Sequence, residues 1–218
     1  MRQIPLFPLQ IITYPQQTVH LHIFEQRYKA MIEKCLAENL GFGIIPIMQN
    51  EVGRIGTGMH IKRINRTYDD GRLDLIAEGE YVFEVNRFIV SDSPEHYHQA
   101  IVQMLETTYT TSDGFLEYQV RELYTEFHRL IATKTRLPTL DDNRALSYQI
   151  VPFSGLRPEQ QLEFLKIRTE TNRLHYLKQH FENLNQVVRA AKESEEISRQ
   201  NGHFKAFPSV DIDKFLDV

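Results

Sequence analysis

The sequence holds one cysteine, Cys35, among its 218 residues, so neither an intrachain disulfide nor an all-cysteine zinc site can form. Long apolar runs are also missing. The longest, Gly41 to Met48, is interrupted by Pro46 and falls far short of the roughly 20 residues a membrane helix needs. Pro5 and Pro8 break what would be the apolar stretch of a signal peptide, and no small-residue cleavage site follows. The expected compartment is therefore the cytoplasm, and Asn65-Arg66-Thr67 is a chance match to the glycosylation sequon. No charge sign dominates: 25 Lys and Arg stand against 29 Asp and Glu, a net charge of −4. That balance argues against a surface built throughout for nucleic acid.

Catalytic frames are missing as well. None of the ten glycines precedes a lysine, which excludes a phosphate-binding loop of the Gly-Lys-Ser/Thr type. Gly41 with Gly43, and Gly56 with Gly58, lack the third glycine of a dinucleotide fingerprint. No serine stands in a Ser-x-x-Lys or Gly-x-Ser-x-Gly frame. The expectation is a protein that is not an enzyme and carries no cofactor.

What is present has two periods. Ile4 to Leu9 and Thr18 to Ile23 read as short extended segments. Tyr28, Met31, Ile32, Cys35, Leu36 and Leu40 lie on one face of an amphipathic helix, which Gly41 is expected to close. Phe42 to Ile47 reads as a buried strand. Asp69-Asp70-Gly71 is a hairpin turn, and Glu78-Gly79-Glu80 a second turn, between runs of alternating apolar residues. Tyr97 to Glu106 is one more strand. Strands without interleaved helices imply a barrel or sandwich.

After Thr107 to Gly114 the period becomes helical. Leu116 to Ile131 forms one helix, closed by Leu137-Pro138. A short helix covers Arg144 to Val151, Pro158 starts another, and Leu174 to Val188 marks a long last one. Glu193 to Val218 reads as a polar tail with a short docking segment at Phe204 to Phe207.

Pro5-Leu6-Phe7-Pro8-Leu9, Tyr14-Pro15 and Leu21-His22-Ile23-Phe24-Glu25-Gln26-Arg27-Tyr28 resemble the opening of the Lon-protease N-terminal (substrate-binding) domain family. Phe42-Gly43-Ile44, Asp70-Gly71-Arg72, Glu78-Gly79-Glu80-Tyr81-Val82-Phe83, Leu146-Ser147 and Arg173-Leu174 follow in the family's order. Gln26 stands where the family usually has proline, and His20 where an apolar residue is commoner.

The resemblance implies an α+β fold. A PUA-like β-barrel of about six strands with one helix, residues 1–110, would be followed by a C-terminal helical bundle, 111–195, and a polar tail, 196–218. It implies a stand-alone form without ATPase or peptidase domains, which binds unfolded or client polypeptide as an adaptor or regulator of a protease. Substrate contact is assigned to Phe24, Glu25 and Arg27. The alternative is RNA or nucleotide binding by the barrel, with Arg54, Lys62, Arg63, Arg66 and Arg72 as the patch.

Each candidate has a plainer reading. His20 and His22 share a strand face and could begin a metal site with Glu25, as could His96 with His98, but neither pair has a locatable ligand set, so no metal is expected. Glu25 and Arg27 read first as a structural ion pair or helix-start cap, and second as an exposed recognition pair. The basic residues read as a solvated strand face. Cys35, on the apolar face of its helix, reads as packed and inert.

Overall fold

The computed structural model describes residues 1–49, 51–89, 96–131 and 139–200, with 198–200 described by backbone alone. It divides into two units. The first is Met1–Thr108 with Gln161–Arg168, and the second is Tyr109–Gln160 with Thr169–Val218.

The first unit is a mostly antiparallel sheet with one long helix. Its elements are β1 (Arg2–Leu9), β2 (Thr18–Ile23), α1 (Gln26–Ala37), β3 (Phe42–Met48), β4 (Glu51–Val52), β5 (Ile55–Thr67), β6 (Leu73–Ile89) and β7 (Gln99–Leu105). Pairing runs β1-β7-β6-β5-β3-β4, with β2 beside β6. β1 also pairs β3 in parallel, so the path β1-β7-β6-β5-β3 returns to its start. Tyr28, Met31, Ile32 and Cys35 of α1 pack with Phe7, Phe42, Met59 and Leu75 in one cluster. Ile4, Leu6, Ile45, Phe83, Val85 and Val102 form a second.

Two glycine expectations are corrected. Gly79 makes no turn: β6 runs unbroken through it. A Cβ there would lie 2.2 Å from the carbonyl oxygen of Tyr14, so glycine serves close approach of two backbones. Gly41 does not cap α1 either. Asn39 takes the left-handed conformation at φ 52°, while Leu40 N–H donates to Cys35 O at 2.8 Å and Asn39 N–H to Leu36 O at 3.4 Å. That pair of bonds is the Schellman closure with asparagine in the glycine position. Gly41 is small because Met59 O lies 2.5 Å from where its Cβ would be.

The second unit contains α2 (Gly114–Ile131), α3 (Leu146–Ile150) with a 3-10 turn at Val151–Phe153, and α5 (Glu170–Gln200). Asp113 caps α2 through Leu116 N–H, 2.9 Å from its Oδ1. Leu116, Val120, Tyr124 and Phe127 are buried on one face of α2. The Phe181 ring of α5 meets those of Tyr124 and Phe127 at 5.9 and 5.7 Å. α4 (Pro158–Leu165) starts at its proline, as expected. From Gln161 onward it belongs to the first unit, where Tyr14 Oη donates to Gln161 Oε1 at 3.1 Å and Phe164 meets Tyr14 edge-on.

Residues 193–200, read as the start of a tail, are helical and continue α5. The expected helix stop at Leu137-Pro138 and the segment Phe204 to Phe207 lie outside the described residues. Among the described residues, no helix is long and apolar enough to cross a membrane.

A buried ion pair organises the second unit. Arg173 donates to Glu170 Oε2 through Nη2 at 2.7 Å and through Nε at 3.2 Å, and Nε also donates to Ser147 Oγ at 2.9 Å. Glu170 accepts from Ser147 N–H at 2.9 Å and Ser147 Oγ–H at 2.6 Å. α5 thereby supplies the acceptor for an amide in the first turn of α3 that helix geometry leaves unpaired.

Candidate functional site

The hairpin of β5 and β6 sets the site by its register. The Asp70 carboxylate accepts from Arg72 N–H at 3.1 Å and Nε at 2.7 Å, while Gly71 at φ 79° lets the chain reverse. Those bonds and the Arg72 charge hold the Asp70 carboxyl below its usual range, the backbone bond contributing most. Counting back from the turn, Arg66 falls opposite Asp74, and on the far side of β6 His22 of β2 falls opposite the same Asp74. Arg66, Asp74 and His22 therefore occupy one row across three strands.

Asp74 is the centre of that row. His22 Nδ1 lies 2.6 Å from Asp74 Oδ1, and Tyr68 Oη donates to Asp74 Oδ2 at 2.7 Å. These bonds, that of His22 first, lower the Asp74 carboxyl, and the same carboxylate raises the Tyr68 hydroxyl. The guanidinium groups of Arg66 and Arg72 lie over the Tyr68 ring at 4.4 and 4.9 Å. Phe24, 62% exposed, stacks on His22 with centroids 6.0 Å apart, and His22 meets Tyr68 edge-on at 5.9 Å.

The start of α1 joins this surface. Arg27 pairs with Glu25 at 2.7 Å and lies over the Tyr28 ring at 4.6 Å. Glu25 occupies the N-cap position but makes no side-chain capping bond, its carboxylate being used by Arg27. Lys29 Nζ donates to Asp70 O at 2.8 Å, tying the helix to the hairpin turn.

The structure thus gathers Phe24, Glu25 and Arg27 with Arg66 and Arg72, which belonged to separate readings of the sequence. The remaining basic residues stand apart. Lys62 is paired with Glu78 at 2.9 Å. Arg54 precedes the thirteen residues of β5, bonds Val85 O at 3.3 Å and faces Phe88, whereas Arg66 lies at the far end, roughly 35–40 Å away at about 3.3 Å per residue. Arg63 is exposed between the bulges of β5.

Tyr68 and Asp74 went unnoticed in the sequence, although reflecting residues about the Asp69-Asp70-Gly71 turn places them. Among the described residues no three His, Cys, Asp or Glu side chains converge as metal ligands. His22 is engaged by Asp74 and Glu25 by Arg27. His96 and His98 precede β7, and Leu6 N–H donates to the His98 carbonyl at 2.9 Å. Burial pushes the Cys35 thiol up to about 11, far from a nucleophile's range. The surface offers aromatic faces, guanidinium planes and already engaged carboxylates, which suit stacking and surface recognition.

The family model for the ATP-dependent protease La (LON) substrate-binding domain matches residues 3–183. The chain belongs to that family. Among solved structures, the Lon N-terminal domain protein from Xanthomonas campestris is similar at 23% identity and a TM-score of 0.61, over 81% of this chain and 97% of that one. The N-terminal domain of the Mycobacterium avium complex Lon protease is similar at 15% identity and a TM-score of 0.58, over 83% and 98% of the two chains. These likenesses establish the α+β fold of a Lon substrate-binding domain. No curated protein matches the sequence.

Proposed function

We propose that this Lon substrate-binding domain binds unfolded or extended polypeptide at the surface of Phe24, Glu25, Arg27, His22 and Tyr68. It acts as a cytoplasmic, ATP-independent adaptor or regulator of proteolysis and hydrolyses nothing itself. The observation that carries the reading is the exposed Phe24 ring stacked on His22, beside a tyrosine bearing two guanidinium groups. Exposed aromatic and arginine side chains are the commonest anchors of protein recognition. Asp74 already fixes His22 and Tyr68, so little side-chain freedom remains to be lost on binding. A flexible client loses its own freedom, so the expected Kd is about micromolar or weaker.

Fluorescence anisotropy with a labelled, permanently unfolded polypeptide and a labelled single-stranded RNA, each at two salt concentrations, tests the reading. Polypeptide binding that survives salt, and falls at least fivefold in Phe24→Ala, supports it. RNA binding that drops steeply with salt, with no polypeptide signal, rejects it in favour of the basic hairpin.

A further inference from the structure

Among the described residues, two long strand edges of the first unit have no strand partner in the register: the outer edge of β2, and that of β5 beyond Met59. They are guarded differently. β5 carries irregularities at Ile61/Arg63 and Ile64/Arg66, together with Lys62, Arg63 and Arg66, the features by which natural sheets repel an added strand. β2 pairs without a shift from Thr18↔Glu78 to Ile23↔Leu73, and its sequence contains no lysine, arginine or proline.

The turn before β2 determines which backbone groups face outward. Gln17 N–H donates to Tyr14 O at 3.2 Å, closing a turn with Pro15 second and Gln16 third at φ 65°. Gly79 N–H then donates to Gln17 O at 3.0 Å, and Gln16 N–H to Gly79 O at 2.7 Å. Hydrogen-bonded and non-bonded pairs alternate along an antiparallel ladder. Val19, Leu21 and Ile23 therefore address β6, and the N–H and C=O groups of Thr18, His20 and His22 point away from it. Among the described residues no backbone bond reaches these outward groups. The side chains of all three residues are exposed, and Phe24 follows directly.

We propose that β2 captures its client as an added strand. An extended segment of about five or six residues hydrogen-bonds Thr18, His20 and His22 and lays an aromatic or β-branched side chain beside His22 and Phe24. The proposal rests on the polypeptide-binding reading and adds how, and where, the polypeptide is held. An alternating row of free N–H and C=O groups is matched by an extended peptide backbone. A helix has already used its own backbone groups, and nucleic acid has no such ladder. The row Arg66–Asp74–His22 compensates its own charge, so the next place in the row favours an apolar or aromatic neighbour over an ionic one. Backbone bonding supplies tolerance of sequence, and the His22–Phe24 face supplies preference.

The probe is a labelled hexapeptide alternating valine and threonine around one tyrosine, in three forms: unmodified, and N-methylated on either alternate set of amides. One methylation pattern should weaken binding at least tenfold, and the other should leave it within threefold, because only one set faces β2. His20→Pro removes an outward N–H at an edge position where proline is tolerated. It should abolish peptide binding while the thermal melt stays near the parent's. If His20→Pro fails to fold, the two methylated peptides still decide. Equal effects of both patterns, or an unfolded polypeptide that binds while the hexapeptide does not, reject strand addition and leave the polypeptide-binding reading standing. Absence of binding by both peptide and unfolded polypeptide rejects both readings. Concentration-dependent dimerisation in sedimentation, lost in His20→Pro, would assign the edge to a second copy of the chain and overturn the proposal.

Discussion

Glu170→Ala should destabilise the second unit more than any surface substitution can. Glu170 and Arg173 are 1% and 0% exposed, so the change strands a buried guanidinium without its carboxylate. Breaking one side of a buried pair costs about 3–5 kcal/mol. The Ser147 amide and hydroxyl lose their acceptor too, adding about 1–3 kcal/mol if water does not reach them. The Tyr148 ring, 4.2 Å from the Arg173 guanidinium, faces it in parent and variant alike, so that contact cancels from the difference. The net loss is at least about 4 kcal/mol, or a fall in Tm of roughly 8 °C or more for a chain of this length. Urea unfolding followed by far-ultraviolet circular dichroism reads it, since α2 and α5 carry much of the helix signal. Glu170→Leu combined with Arg173→Met removes both charges and should recover more than half of the loss, because an apolar pair needs no desolvated partner. A Glu170→Ala protein within 1 kcal/mol of the parent, or a double variant no more stable than the single, would refute the reasoning.

Three other outcomes follow from the same structure. Burial holds His128 and His180 below the ordinary histidine value of 6.5, while their Nε2–H groups donate to Phe153 O at 3.0 Å and Ser154 O at 2.8 Å. The unfolded chain therefore takes up protons first, and stability present above pH 6.5 is lost as pH falls toward the lowered folded values. Urea midpoints should drop between pH 7.5 and 5.5, and His128→Gln with His180→Gln should flatten that dependence. Cys35, buried and raised to about 11, should resist a thiol reagent at pH 8 in the native protein and react within minutes in urea. Gly79→Ala, which drives a Cβ against Tyr14 O, should cost about 1–3 kcal/mol. Gly114→Ala, with nothing within 4 Å, should gain up to about 1 kcal/mol as the first residue of α2. Thermal melts of the two variants should move in opposite directions.

The parts legible in the sequence were those with local chemistry. Asp69-Asp70-Gly71 is self-contained, because the Asp70 carboxylate clasps Arg72 and glycine takes the positive φ. The apolar face of α1 recurs at three and four, so Tyr28, Met31, Ile32 and Cys35 could be assigned to the core from spacing alone. Glycine was ambiguous where its role was non-local. Gly41 and Gly79 look like punctuation, yet each yields to a carbonyl oxygen from a distant segment, Met59 and Tyr14 respectively. Spacing gave no sign that Arg173 is buried, since its hydroxyl partner Ser147 lies 26 residues away and a lone charge in an amphipathic helix reads as solvated. At the site, the family resemblance picked out Phe24, Glu25 and Arg27, and residue types the basic hairpin. The meeting of these groups needed the pairing of β2 with β6, which no periodicity specifies.

Residue-resolved amide exchange, with and without a saturating unfolded polypeptide, tests the central claim most directly. In the free protein the amides of Thr18, His20 and His22 should exchange fast while those of Val19 and Leu21, bonded to β6, exchange slowly. On saturation the three outward amides should slow by at least tenfold, with smaller changes at Phe24 and Tyr68 and none along α2. Binding that saturates while Thr18, His20 and His22 continue to exchange at their free rates would contradict the account.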